Sequence, residues 1–167
     1  MKKISMVLIL VFLVGGCAIA LKPDFSIRVK EDLRVTPIVY YRADWIQGVY
    51  GYPSFTEALG SKIQIMRGAL VAGDEKVVFV RFDKQIGKYD SIFELNYSNI
   101  TDVRVFRKGL GRRLVLKEEK NLYTFEVVKG GVIDKKQTYK FAIFIADKSG
   151  KDSTSFLKDL EALEKEK

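Results

Sequence analysis

Gly73-Asp74-Glu75-Lys76-Val77-Val78-Phe79-Val80-Arg81-Phe82 is the stretch whose reading decides the fold. Gly73-Asp74 supplies a turn, and the β-branched and aromatic run after it puts Val78, Val80 and Phe82 on one face at period two. That is a strand entered from a tight connection. Working outward, Ile63 to Val71 reads as the strand before it, and Ile92 to Tyr97, Val103 to Arg107, Arg113 to Lys117, Tyr123 to Val128 and Tyr139 to Ala146 as those after it. In the last of these Tyr139, Phe141, Ile143 and Ile145 alternate without a break. Turn chemistry separates the runs at Gly87, Asn96 to Asn99, Gly109 and Gly111, Glu119 to Asn121, and Gly130-Gly131. Short strands at regular spacing predict a mainly β chain: a small antiparallel barrel or sandwich of about seven strands.

After residue 151 the period changes. Asp152 or Ser153 can cap a helix running to the C-terminus, with Phe156, Leu160 and Leu163, joined by Leu157, on one stripe. Lys158, Asp159, Glu161 and Lys165 occupy the other face, and a mixed-sign face of this kind suits a helix docked on the domain rather than lying on a membrane. The expectation is a helix closing the open end of the barrel.

Upstream of residue 61 the pattern is less regular. Phe25, Ile27 and Val29 alternate with Ser26, Arg28 and Lys30 as a strand would, and Leu33 to Tyr41 is a second extended candidate bent by Pro37. Ser54-Phe55-Thr56-Glu57 has capping-box spacing, with Gly60 as a stop, so a short helical turn is expected there. Residues 25–60 are thus expected as an irregular N-terminal extension packed on a domain spanning 61–167. The aromatic group Tyr41, Trp45, Tyr50 and Tyr52 falls in that extension. Exposed, it is a candidate partner surface, because Tyr and Trp carry much of the energy at interfaces; the plainer reading is that it packs against the barrel wall.

The chain has no histidine and a single cysteine, Cys17. Imidazole acid–base chemistry, His-activated nucleophiles and most zinc sites are thereby excluded, as is a disulfide framework. No pair of carboxylates, including Asp74, Glu75 and Asp83, sits in a recognisable acid–base constellation, so the expectation is a non-enzyme with no cofactor and no metal. The chain carries 29 Lys and Arg against 21 Asp and Glu, a formal +8, and without Lys2 and Lys3 the balance is +6. Such an excess suits anionic headgroups or acidic envelope polymers as well as plain solubility.

Cys17 ends a signal-like segment. Lys2 and Lys3 precede an apolar run from Ile4 to Val14, broken only by Ser5, and Gly15-Gly16 supplies small residues. Val14-Gly15-Gly16-Cys17 resembles the lipobox of bacterial lipoproteins. The resemblance implies a signal peptide over 1–16, a diacylglyceryl thioether on Cys17 and a lipidated tether over 17–24. Ala18 after the cysteine implies outer-membrane sorting, facing the periplasm, where the cell has two membranes. An uncleaved anchor from Ile4 to Leu21 and an ordinary secretory signal are the alternatives, and each exports the rest of the chain. Nucleic acid is a poor partner for an exported domain.

Seven antiparallel strands and one C-terminal helix resemble the pleckstrin-homology-like (PH-like) superfold, and Phe93-Glu94-Leu95-Asn96-Tyr97-Ser98-Asn99-Ile100-Thr101-Asp102-Val103 resembles a strand-to-strand step of bacterial PH-like and GRAM-like domains. Ser98 and Asn99 make the turn while Ile100 and Val103 plug the core. The resemblance implies a binding module, without transferring a ligand. The phosphoinositide site of eukaryotic PH domains uses basic residues flanking the loop between the first two strands; here that loop is Ala72 to Lys76, which is acidic apart from Lys76, so that site is not expected in this form. The strongest basic cluster is instead Arg104, Arg107, Lys108, Arg112 and Arg113, around Gly109-Leu110-Gly111, a candidate anion-binding hairpin. Lys129, Lys135 and Lys136 form a second patch in what reads as a flexible connection. Two functions follow: a lipoprotein that binds or scaffolds an envelope protein, or a peripheral module for anionic lipid or glycan using the Arg104–Arg113 hairpin.

Overall fold

A computed structural model describes residues 21–47, 64–109 and 111–165. The signal-like segment with Cys17, the residues Tyr50 and Tyr52, the expected turn after Ser54 and the hairpin tip Leu110 lie outside them. The described elements are α1 (Phe25–Leu33), β1 (Val39–Gln47), β2 (Gln64–Ala72), β3 (Lys76–Asp83), β4 (Lys88–Asn96), a 3-10 turn (Tyr97–Asn99), β5 (Ile100–Lys108), β6 (Gly111–Glu118), β7 (Asn121–Lys129), β8 (Val132–Ile133), α2 (Lys135–Lys148) and α3 (Thr154–Lys165).

The strands form one antiparallel sheet in the order β4-β3-β2-β1-β7-β6-β5, with β8 paired to β7. β1 pairs with β2 from Val39↔Ala72 to Gln47↔Gln64 and with β7 from Ala43↔Val127 to Ile46↔Thr124. The sheet is open, ending at β4 and β5, rather than closed into a barrel. The mainly β antiparallel class with C-terminal helices is as expected, but three elements differ from the sequence reading.

Residues 25–33 are a helix, not a strand. Phe25 and Val29, one turn apart, are fully buried, while Ile27 is 60% exposed, which is helical rather than alternating burial. Val39–Gln47, expected inside an extension, is the middle strand of the sheet. Tyr139 to Ala146 is part of α2, whose buried side chains Thr138, Tyr139, Phe141, Ala142, Ile145 and Ala146 follow helical spacing. Asp134 caps it, its carboxylate accepting from the Gln137 N–H at 3.0 Å.

The sheet buries both faces. On the inner face Leu70, Phe79, Leu95, Leu114, Leu116 and Phe125 meet Phe141 and Ile145 of α2. On the outer face of β2, β3 and β4, Ala69, Val71, Val78 and Val80 meet Phe25 and Val29 of α1. A Cβ at Gly68 of β2 would run into the Val80 backbone carbonyl oxygen and stand 2.7 Å from the Phe79 ring, so the position accepts no side chain without moving the neighbouring backbone as well as that ring.

The helix that covers the inner face is α2, in contact with β5, β6 and β7; α3 packs on α2. α3 buries Phe156, with Leu160 and Leu163 partly buried, so the expected closure of the core by the C-terminal helix is corrected to closure by the helix before it. The step from β4 to β5 is built as expected. Ile100 and Val103 are buried, Ser98 and Asn99 exposed, and Tyr97 is pinned by its O–H donating to Gly73 O at 2.9 Å and its N–H to Glu75 O at 3.0 Å.

Candidate functional site

The basic hairpin does not present its cations as one surface. In the β5–β6 register Arg107 faces Arg112 on the side of the inner core, while Phe106 faces Arg113 on the outer side, which Arg104 shares. The period of two therefore splits the cluster. Arg104 Nε lies 2.5 Å from Asp102 Oδ2. Arg113 donates through Nε to Glu126 Oε1 at 2.6 Å, in a pair whose side chains are only 14% and 18% exposed. Arg112 Nε donates to Tyr139 Oη at 3.1 Å, tying the hairpin to α2. Burial raises the Tyr139 phenol pKa; the Arg112 hydrogen bond pulls it back and Asp159 of α3 pushes it up again. Arg112 and Arg113 thus fasten β6 to its neighbours, while Arg104 and Arg107 are exposed.

The aromatic candidates resolve as core. Tyr41 packs edge-on against Phe141 with ring centroids 5.6 Å apart, and burial, with Asp134 nearby, pushes its phenol pKa up. Trp45 lies 4.8 Å from Phe93 and 5.8 Å from Phe79 by ring centroid. Both point to the inner face because Tyr41, Ala43 and Trp45 share one side of β1. Tyr41 and Trp45 are therefore half-buried, with their rings packed on the inner core.

The lysine connection is more ordered than its sequence suggests. Gly130 and Gly131, both at positive φ, make a two-residue turn that pairs Lys129 with Val132. This turn, the start of α2 and the end of α3 enclose an open pocket of about 360 Å³. Lys129, Lys135 and Lys136 line it together with Val132, Ile133 and Leu163. Asp134 is the carboxylate at the rim, and one of its oxygens is held by the cap to Gln137 N. The lining thus holds three lysines and one carboxylate, Asp134.

A charged ladder on the outer face escaped the sequence reading. Asp44 of β1 faces Arg67 of β2 and Glu126 of β7 across the strands. Burial raises the Asp44 pKa, the neighbouring Arg67 and Arg42 lower it, and Glu126 raises it. Asp44 Oδ1 is buried with no hydrogen-bond partner among the described residues. The sequence signal was the alternation of Arg42 and Asp44 with apolar residues through β1.

The loop at Ala72 to Lys76, expected as the first of the fold, is the β2–β3 turn; the β1–β2 connection spans 48–63, outside the described residues. The acidity of Ala72 to Lys76 therefore says nothing about the first loop.

No family model matches the chain, and no curated protein matches it. Among solved structures, the C-terminal domain of an unknown protein from Leishmania infantum is similar at 13% identity and a TM-score of 0.46, covering 76% of this chain and 95% of that one. The Slm1-PH domain in complex with inositol-4-phosphate is similar at 12% identity and a TM-score of 0.47, covering 68% and 96%. The same domain with phosphoserine gives 11% identity, a TM-score of 0.44, and 68% and 97%. The fold description rests on the strand order and register above.

Proposed function

We propose that this chain is a lipid-anchored, non-enzymatic binding module of the cell envelope, tethered through Cys17 and engaging an acidic segment of an envelope protein at its lysine pocket. In a cell with two membranes its place is the outer membrane, facing the periplasm. The observation that carries this reading is that Lys129, Lys135 and Lys136 line one pocket with Val132, Ile133 and Leu163. Tyr41 and Trp45 are used inside the fold, and Arg104, Arg112 and Arg113 are bonded to Asp102, Tyr139 and Glu126. A pocket lined by cations and apolar side chains suits an acidic peptide bearing an apolar residue, because complementary charge sets the encounter and the apolar contact slows release.

The second reading, anionic lipid or glycan bound by the Arg104–Arg113 hairpin, keeps one observation in its favour: Arg107 is exposed near the end of β5. The two readings separate in one experiment. Crosslinking in envelopes should capture a partner with wild-type protein and lose it when Lys129, Lys135 and Lys136 are together replaced by Glu, with the melting temperature unchanged. Arg107→Ala should leave the capture intact. Capture that survives the triple reversal would overturn the pocket, and capture lost with Arg107→Ala would favour the hairpin.

A further inference from the structure

We infer that the α1 side of the sheet lies flat on the membrane that holds Cys17, with Ile27 and Ile86 in the headgroup layer of a phospholipid surface. This rests on the anchor reading above and extends it from attachment to orientation. Leu21, the first described residue, already packs on the outer core beside α1. The four residues Ala18 to Leu21 carry the chain on from Cys17, a reach of about 14 Å at roughly 3.5 Å per residue. The headgroup layer is about 5–8 Å deep on each side of a bilayer. A lipid chain on Cys17 therefore holds the outer core within a short step of that layer, whatever path the four residues take.

The side nearest the tether is not a free-swinging end. Lys22 and Arg28 each stand 5.2 Å from the Phe82 ring centroid, and Arg28 Nη2 donates to Gly87 O at 2.6 Å. Asp32 accepts the Tyr89 N–H at 2.8 Å, fixing the far end of α1 to the start of β4. These bonds lock the helix to the β3–β4 turn and bring together two exposed isoleucines, Ile27 at 60% and Ile86 at 59%. Each is the chain neighbour of one end of the Arg28–Gly87 bond.

The charge around them fits an anionic surface. Lys22, Lys30, Lys84 and Lys88 are exposed on this side. Of the carboxylates there, Asp32 faces the Tyr89 amide and Asp83 accepts the Gln85 N–H at 2.7 Å, while Asp24 and Glu31 remain exposed. Exposed lysines therefore outnumber exposed carboxylates within about a Debye length of the headgroups. Two apolar side chains ringed by lysines at a short lipid tether are the elements of an interfacial contact, in which a second signal adds to the acyl chains.

The test uses the full chain, purified with its acyl chains and reconstituted in vesicles of phosphatidylethanolamine with a minority of phosphatidylglycerol. Cys17 is the single cysteine and its sulfur is consumed by the anchor, so one introduced cysteine is the sole labelling site. Ile27→Cys and Ile86→Cys are placed on the α1 side, and Leu157→Cys on α3, which is 45% exposed, serves as the reference on the other side. A polarity-sensitive dye should be blue-shifted at 27 and 86, and shielded several-fold from a water-soluble quencher relative to 157. Equal accessibility at all three, in protein whose mass shows the acyl chains, overturns the orientation and leaves the anchor standing. A mass without acyl chains overturns the anchor and the orientation together.

Discussion

The two faces of the sheet are built for different work. The inner face is aromatic and interlocked: Trp45, Phe79, Phe93, Tyr123 and Phe125 touch one another, and Phe141 of α2 closes over them. The outer face is divided. Over β2, β3 and β4 it is lined with small Ala and Val side chains and covered by α1, whereas over β1 and β7 it carries Asp44, Arg42 and Glu126. Aromatic interlocking makes the inner core the main source of stability, since large buried rings contribute most per residue. The outer core has fewer and smaller contacts, so it is the place where attachment can be built without disturbing the fold. The difference teaches that α1 covers one part of the sheet rather than belonging to its main core.

The largest expected effect lies on the inner face. Phe141→Ala removes a fully buried ring from the contact between α2 and the sheet. It should cost about 3–5 kcal/mol, read as a shift of the urea midpoint at unchanged slope. A loss well below about 1 kcal/mol would mean that α2 does not close the core.

Why α2 was not legible as a helix follows from its residues. Tyr139, Phe141, Ile143 and Ile145 are apolar at period two, yet Ala142 and Ala146 between them are buried as well. A helix with so wide an apolar face reads at both periods, and only the Asp134 cap onto Gln137 decides locally. Phe25, Ile27 and Val29 alternate over too few residues to tell a strand from one helical turn that buries Phe25 and Val29. β1 was hidden for the opposite reason: Arg42 and Asp44 alternate with Tyr41, Ala43 and Trp45, and its polar outer side made a central strand look like surface. Among the seven strands expected after residue 61 one is helix, and β1 takes its place in the seven-strand path β4-β3-β2-β1-β7-β6-β5 to which the short β8 is added. The β3–β4 pair and the Tyr97 step were legible because their turn residues and alternation agree. Of the candidate site, the residue types of the hairpin were legible, but the split of its cations between two faces needs the register, and the lysine pocket needs the tertiary fold.

The second effect, smaller than the first, tests the outer core. Val29→Ala removes two methyl groups from a fully buried site on α1, worth about 1.5–2 kcal/mol at roughly 0.8 kcal/mol per carbon. Hydrogen exchange should then quicken in α1 and the β3–β4 turn while the amides of β6 and β7 stay protected, because the inner core is untouched. Uniform loss of protection through the whole sheet would show that the two faces unfold as one unit and would remove the division of labour between them.

The smallest effect concerns the charged part of the outer face. Asp44 has a folded-state pKa above its ordinary value of 3.8, chiefly because burial disfavours the carboxylate, with Arg67 and Arg42 recovering only part of the cost. The folded chain therefore binds the Asp44 proton more tightly than the unfolded chain does. Its contribution to stability falls as pH rises from 3.8 through the raised value, and the cost is fully present at neutral pH. Asp44→Asn imitates the protonated side chain, so it should make the protein more stable than wild type at neutral pH, by less than about 1 kcal/mol for a partly exposed group. The gap should close as pH falls below the ordinary aspartate value, where wild type is itself neutral at this position. Urea midpoints for both proteins at the two pH values give the comparison directly. A variant less stable than wild type at neutral pH would mean that pairing with Arg67 and Arg42 outweighs burial, and the outer face of β1 would then be held by its charges instead of tolerating them.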